Sequence, residues 1–107
     1  MNALKSDLTP ARRRLIELAQ RVNFGRIENL RVREGEPVFD PPPRVIREVK
    51  FGGENRPRPE AAKSDFALKT EMVNLFEHLK EVGNGMITRL EIQHGLPFRM
   101  AFEEAVA

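Results

Sequence analysis

Two segments of the chain carry apolar residues at the spacing of an amphipathic helix. In the first, Thr9 is a preferred N-cap residue, and Pro10 suits the first helical position, where its missing N–H costs nothing. The apolar positions that follow are Leu15, Leu18, Ala19 and Val22. This pattern predicts a helix over residues 10–22.

The second helical segment is longer and ends at a clear stop signal. Ser64 or Asp65 is the predicted N-cap, and Gly83 followed by Asn84 and Gly85 ends the helix. Its apolar stripe consists of Leu68, Met72, Leu75, Phe76, Leu79 and Val82. A stripe of this width is typical of a helix that packs one face on a core.

A β-hairpin is predicted after each helix, because apolar and polar residues alternate on both sides of a glycine. In the second hairpin, a two-residue loop at residues 94–95 would mix apolar and charged residues on both faces of the strands. A three-residue loop at residues 93–95 instead pairs Leu90 with Phe98 and leaves one apolar face. We therefore expect the three-residue loop.

The first hairpin follows the same rule. A loop at residues 33–35 pairs Leu30 with Val38, although the remaining pairs on that face are less apolar than in the second hairpin. In both loops the last residue is the glycine that a type I turn with a bulge requires. The two hairpins are thus predicted to have the same turn.

The two helix-hairpin segments align with each other at a constant offset of 60 residues. Over residues 25–40 and 85–100, five of 16 positions are identical. They are Gly25 and Gly85, Ile27 and Ile87, Leu30 and Leu90, Gly35 and Gly95, and Pro37 and Pro97. Because glycine and proline mark backbone geometry, the matches indicate two copies of one αββ unit, with the four glycines at structural turns.

A segment without a counterpart connects the two units. The three prolines at residues 41–43 must be extended, residues 44–51 have the pattern of a further strand, and residues 52–62 form a polar loop. We predict one domain, residues 1–107, with a first unit at 9–40, a connecting strand and loop at 41–62, and a second unit at 63–107. The predicted fold class is α+β: an antiparallel sheet of four or five strands with both helices on one face, related by a pseudo-twofold axis.

Composition narrows the class of protein. The chain has 107 residues, of which 40% are hydrophobic and 32% charged, so it has enough apolar material to fold as a single domain. It contains no cysteine, which excludes disulfides and thiol chemistry and favours a reducing compartment, so we expect a cytoplasmic protein. No stretch is long and apolar enough to span a membrane, and we expect no membrane partner.

The net charge of +2 hides an uneven distribution. Residues 9–59 hold 12 Lys and Arg against 7 Asp and Glu, whereas residues 60–107 hold 5 against 8. The cluster that favours a polyanion partner consists of Arg12, Arg13, Arg14, Arg26, Arg31 and Arg33. Against this, Glu17 can pair with arginines on the same helix, and no tyrosine or tryptophan is present to stack on bases. The split also fits two complementary halves or subunits.

Catalytic and metal-binding patterns are missing from the sequence. His78 lies on the polar side of the second helix and His94 at a hairpin tip, and neither has a partner at a ligand or catalytic spacing. The glycine-containing loop at residues 51–58 lacks a phosphate-binding motif and is interpreted as a linker. We therefore expect no catalytic site, no cofactor and no metal, and we favour a non-enzymatic protein.

The helix-hairpin pattern resembles a group of very short bacterial proteins of unknown function. The residues that carry the resemblance are Phe24, Gly25, Ile27 and Gly35 in one copy and Gly85, Ile87, Gln93 and Gly95 in the other. This chain has one more residue between the glycines, and the resemblance covers only the two hairpins. It implies that such single-unit proteins pair to build what this chain builds alone, and it implies no activity.

The leading hypothesis is a module that binds itself, as a homodimer, or another protein. It rests on the duplicated framework, on the lack of catalytic groups, and on the expectation that Ile27 and Ile87 lie on the sheet face away from the helices. The alternative is a nucleic-acid-binding protein that uses the basic first half.

Overall fold

The described part of the chain, residues 4–51 and 68–103 of a computed structural model, consists of two α-helices, a short 3-10 helix and five strands. The 3-10 helix is Lys5–Asp7. The other elements are α1 (Pro10–Val22), β1 (Gly25–Arg33), β2 (Glu36–Val38), β3 (Arg44–Arg47), α2 (Thr70–Val82), β4 (Gly85–Gln93) and β5 (Leu96–Phe102). This order, helix and three strands followed by helix and two strands, confirms the α+β prediction.

Helix α1 has the predicted bounds, whereas α2 begins later than predicted. The hydroxyl of Thr9 accepts a hydrogen bond from the Arg12 N–H at 3.2 Å, as an N-cap should. Helix α2 starts at Thr70, with extended Lys69 as its N-cap, so the predicted start at residues 64–65, which are outside the described residues, is wrong. The sequence pattern places Leu68 in the apolar stripe of the helix. In the structure Leu68 lies before the helix and packs on the core from there, as Leu8 does before α1.

Both hairpins have two-residue turns, so the predicted three-residue loops are wrong. Residues 34–35 and 94–95 all have positive φ, between 51° and 74°, which is the geometry of a type I′ turn. In the second hairpin, Ile92 lies opposite Pro97 and the register then shifts, which inserts Phe98 as a bulge. Without the bulge, a two-residue turn would place Leu90 opposite Arg99. The bulge shifts the register by one residue, so Leu90 lies opposite Met100 and the strands keep one apolar face. The predicted partner of Leu90 was Phe98.

The first hairpin departs from its predicted register in the same way. Its turn pairs Arg33 with Glu36, so Val38 lies opposite Arg31 and not opposite Leu30. Strand β2 then ends after three residues. The outer neighbour of β1 is therefore short, and the chain continues away from the strand.

The sheet has the order β2-β1-β4-β5, with β3 also paired to β1. Strand β2 covers residues 31–33 of β1 and β3 covers residues 25–28, so both occupy the side of β1 opposite β4. The predicted connecting strand is thus part of the sheet of the first unit. It is also shorter than the 44–51 predicted, because it ends at Arg47.

A pseudo-twofold axis relates the two units. In the second unit, the helix and the long strand that follows it lie 60 residues after their counterparts in the first unit. For example, α1 spans residues 10–22 and α2 spans residues 70–82. The β1–β4 ladder pairs Gly25 with Ile92 and Val32 with Gly85, and an offset of 60 turns one pair into the other. The axis therefore passes through the middle of this central ladder.

The hairpin turns repeat this symmetry. The N–H of Gly35 donates to the carbonyl of Gly83 at 2.8 Å, and the N–H of Gly95 donates to the carbonyl of Asn23 at 2.9 Å. Each turn thereby satisfies a carbonyl at the C-terminal end of the other unit's helix. The two units are locked together by equivalent bonds.

The core lies between the helices and one face of the sheet, and it includes two residues expected elsewhere. Ile27 and Ile87 are fully buried in it, so their expected position on the outer face is wrong. Strict alternation fails because Asn29 adopts a positive φ of 58° and the β4–β5 register shifts between Ile87 and Arg89. Within residues 4–51 and 68–103, neither helix is long and apolar enough to cross a membrane.

Candidate functional site

The sheet edge of the first unit is formed by two short strands, β2 with three residues and β3 with four. After β2 the chain leaves the sheet, and Phe39 packs partly buried against the core. The guanidinium carbon of Arg14 lies 4.4 Å from the centre of the Phe39 ring, which covers the aromatic side chain with a cation. The prolines at 41–43 then interrupt the strand, a common way of keeping a sheet edge from pairing with another chain.

At the other edge of the sheet, β5 is continuous over seven residues, Leu96–Phe102. Among the described residues no strand pairs with its outer side, which we call the open edge. Phe98 is 57% exposed and Phe102 is 36% exposed. An apolar strand with unpaired backbone groups is a template for another strand.

A groove lies beside this strand, between α2 and β5. We call it the edge groove; it has a volume of about 310 Å³. Its lining includes the apolar residues Leu75, Leu90, Pro97 and Met100 and the two exposed phenylalanines of β5. Glu71, Asn74 and His78 of α2 line it with polar groups. Its size is at the lower end of ligand sites, and no part of the chain that the structure describes fills it.

The only charged side chain of β5 is held against the neighbouring strand. Arg99 donates from Nε to Glu91 at 2.8 Å and from its terminal nitrogen at 3.3 Å. This hydrogen-bonded arginine lowers the pKa of Glu91 below its ordinary value. The guanidinium carbon of Arg99 also lies 5.6 Å from the centre of the exposed Phe98 ring, so this cation contacts both Glu91 and an aromatic side chain of the open edge.

The predicted polyanion-binding arginines lie on two different sides of the molecule. Arg12, Arg13 and Arg14 are on α1, and Arg12 is half-buried, with Nε 3.1 Å from Glu36 in an ion pair and a terminal nitrogen donating to the Gly35 carbonyl at 3.3 Å. The other three are on β1. They alternate with buried Ile27 and Val32, so they belong to the sheet face away from the helices.

The arginines of that outer face differ in their partners. Arg26 pairs with Glu28 at 2.9 Å, and Arg44 reaches the same carboxylate at 3.7 Å. Arg31 and Arg33 are exposed and form no ion pair with any residue in 4–51 or 68–103. Of the three predicted arginines on this face, Arg31 and Arg33 are thus available to an anion.

The predicted turn glycines divide into two kinds. Gly35 and Gly95 are left-handed turn residues with φ of 74° and 73°. Gly25 and Gly85 are instead the first residues of β1 and β4. A side chain at Gly25 would collide with the carbonyl of Ile46 in β3, so the first unit needs glycine there for close approach of two strands.

The remaining candidates have local roles. His94 occupies the left-handed first position of its turn, with its ring edge-on to Phe24 at 4.8 Å. His78 is exposed and lies 3.5 Å from Glu81. Within the two described ranges, no group of three His, Asp or Glu side chains could hold a metal ion. Of the loop at 51–58, only Phe51 is described, and it is 94% exposed.

Sequence reasoning missed the edge groove. A signal is present in the spacing of Phe98, Met100 and Phe102, but apolar residues at this spacing predict a strand face on the core and do not distinguish a central strand from an edge strand. No family model, curated protein or solved structure matches this chain. The residues of the edge groove and the open edge therefore carry the functional argument alone.

Proposed function

We propose that this protein is a non-enzymatic interaction module that self-associates through the open edge of β5. The single observation behind the proposal is an unpaired seven-residue edge strand that carries two exposed phenylalanines beside an unfilled groove, within the part of the chain that the structure describes. Strand addition at such an edge supplies backbone hydrogen bonds, and the groove supplies apolar contact. We place the protein in the cytoplasm, since a cysteine-free chain suits a reducing compartment.

The contrast between the two edges supports an interaction role for β5. Sheets whose edges serve no purpose usually protect them, as this chain does with Phe39, Arg14 and the prolines at 41–43. Strand β5 instead runs without interruption for seven residues, and its one charge, Arg99, is bound to Glu91 and lies 5.6 Å from the ring centre of Phe98. We therefore interpret the open edge as an interface.

The experiment is to measure the mass in solution by light scattering for the wild type and two variants. Phe98→Asp puts a charge on the open edge, and we expect it to weaken self-association by about a hundredfold, the size of a hot-spot loss. Val45→Asp is the matched control, because Val45 is 43% exposed and lies on β3, at the opposite edge of the sheet. It should leave the mass unchanged.

Two outcomes would reject the proposed function. One is a wild-type protein that stays monomeric, near 12.3 kDa, at high concentration. The other is a dimer that Phe98→Asp leaves intact and Val45→Asp breaks, because the interface would then be at the opposite edge. Both variants should retain their circular dichroism spectra, since the two positions are exposed.

A second candidate function is polyanion binding by the outer face of the sheet. The observation that favours it is the pair Arg31 and Arg33, exposed without a carboxylate partner among the described residues. The test is a gel shift with single-stranded nucleic acid at low salt. Arg31→Gln with Arg33→Gln should abolish the shift, while Arg13→Gln with Arg14→Gln, on the opposite side, should leave it. Equal loss in both variants would point to non-specific charge.

A further inference from the structure

We infer that the occupant of the open edge is a second copy of this chain, paired antiparallel through a twofold axis at Met100, an inference that rests on the proposed function. In this register Met100 lies opposite its own counterpart, and Phe98 lies opposite Phe102 of the second copy. Arg99 lies opposite Ala101 of the second copy. The two five-strand sheets then form one continuous sheet.

This register matches like with like along β5. The exposed phenylalanines meet across the interface, and aromatic cross-strand pairs stabilise antiparallel strands. Met100 lines the edge groove in each copy, so the two thioethers and four rings close both grooves into one apolar layer. An axis at Arg99 would instead set Arg99 opposite its own copy, a like-charge contact.

The helix beside the strand has a self-complementary charge pattern about the same axis. The polar lining residues of α2 are Glu71, Asn74 and His78, so the helical lining of the groove is centred near residue 74. A twofold axis there brings α2 antiparallel to its copy and sets Glu71 toward His78 of the second copy. The equivalent contact occurs at the other end, so at both ends a carboxylate faces an imidazole that can donate a hydrogen bond to it.

The difference between the two edges favours an assembly of two chains. If both edges carried long continuous strands, copies would add one after another into a filament. The edge of the first unit instead consists of two short strands, β2 and β3, with the prolines at 41–43 between them. Of the described edges, β5 presents the longest continuous strand, and an interface that uses one patch twice closes as a dimer.

The test uses cysteine cross-linking, for which this cysteine-free chain gives no background. In Met100→Cys the two introduced thiols lie directly opposite each other, within the Cα separation that a disulfide spans. We expect this variant to cross-link under mild oxidation about tenfold faster than Ala101→Cys, whose two thiols would be separated by two further strand positions. Light scattering of reduced Met100→Cys establishes first that the variant still dimerises.

The outcomes separate this inference from the proposed function. A monomeric wild type would reject both. A wild-type dimer in which Ala101→Cys cross-links as fast as Met100→Cys, or faster, would overturn the register while leaving self-association intact. A Phe98→Cys sample mixed with a Phe102→Cys sample adds a second check, because only the mixture should cross-link.

A charge exchange tests the helix contact. The variant His78→Glu sets its new carboxylate against Glu71 of the second copy, and we expect about fivefold weaker dimerisation. Adding Glu71→Lys should restore the affinity, because the exchanged pair attracts across the axis, while within one chain the two positions are roughly 10 Å apart along the helix. Glu77→Lys, outside the groove lining, is the control. Rescue by Glu77→Lys to the same degree would contradict the proposed contact.

Discussion

The two αββ units share one backbone plan but treat their outer strands in opposite ways. In the first unit, Phe39 lies against the core under Arg14. The positions 60 residues later hold Arg99 and Asn74, and Arg99 turns to Glu91 on the neighbouring strand. The contact between Phe39 and Arg14 therefore has no equivalent at the same positions of the second unit. A duplicated framework can thus interrupt the outer strands of one copy and leave the outer strand of the other continuous.

The largest difference between the units is expected at their first strand residues. Gly25→Ala should lower the free energy of unfolding by about 3 kcal/mol or more, because its side chain would meet the Ile46 carbonyl at a φ of 149°. Gly85→Ala should cost less than about 1 kcal/mol, since its added carbon would lie 3.3 Å from a Val82 methyl group and no described strand like β3 lies beside it. Urea denaturation measures both, and equal losses would refute the difference.

A smaller effect is expected for the two aromatic residues that follow the hairpin turns. Phe39→Ala should lower the free energy of unfolding by about 2 kcal/mol, because Phe39 is partly buried on the core. Phe98→Ala should change it by less than about 0.5 kcal/mol in dilute, monomeric protein, because Phe98 is largely exposed. Comparable losses at both positions would mean that the open edge is part of the monomer's core.

The sequence predicted the elements and the duplication better than the details of the edges. Thr9 and Pro10 fixed the start of α1, and the repeated glycines located both turns. The loop lengths were wrong because a bulge at Phe98 compensates for a two-residue turn, and a bulge has no signature in the alternation of apolar residues. The local pattern also placed Leu68 in helix α2, but the helix begins at Thr70.

The candidate site depended on features that sequence alone does not contain. Ile27 and Ile87 were expected outside because a strict period of two was assumed, and Asn29 breaks it. The open edge is a property of strand order, which cannot be read from one strand. The six arginines lie close together in the sequence, but in the fold three are on α1 and three are on β1, on opposite sides of the molecule. Position in space, not residue type, separates a surface from a site here.

A further comparison concerns Gln20 and its equivalent, Lys80. Gln20 is fully buried, and neither its amide oxygen nor its nitrogen makes a hydrogen bond with the described residues, whereas Lys80 is exposed. Gln20→Met should raise the free energy of unfolding by about 1 kcal/mol by removing a desolvated amide of similar length. Lys80→Met should change it by less than about 0.5 kcal/mol. A loss of stability in Gln20→Met, by denaturation, would show that the amide has a partner.

The smallest effect is expected at Glu91, whose equivalent in the first unit is Arg31. Because Arg99 lowers the pKa of Glu91, the folded state favours the carboxylate, and its contribution is fully present above the ordinary value of 4.5. The contribution is lost as the pH falls below that value through the folded pKa. The stability difference between wild type and Glu91→Gln should therefore shrink as the pH falls below about 4.5.

The matched control is Arg31→Gln, since an arginine does not titrate in this range. Its stability difference from the wild type should stay constant over the same window, measured by urea midpoints. The change at Glu91 should be small, because an exposed ion pair is screened by solvent. If Arg31→Gln showed the same pH dependence, the acid sensitivity would belong to the outer face as a whole. A dependence confined to Glu91 would instead mean that the ion pair between Glu91 and Arg99 exists in solution.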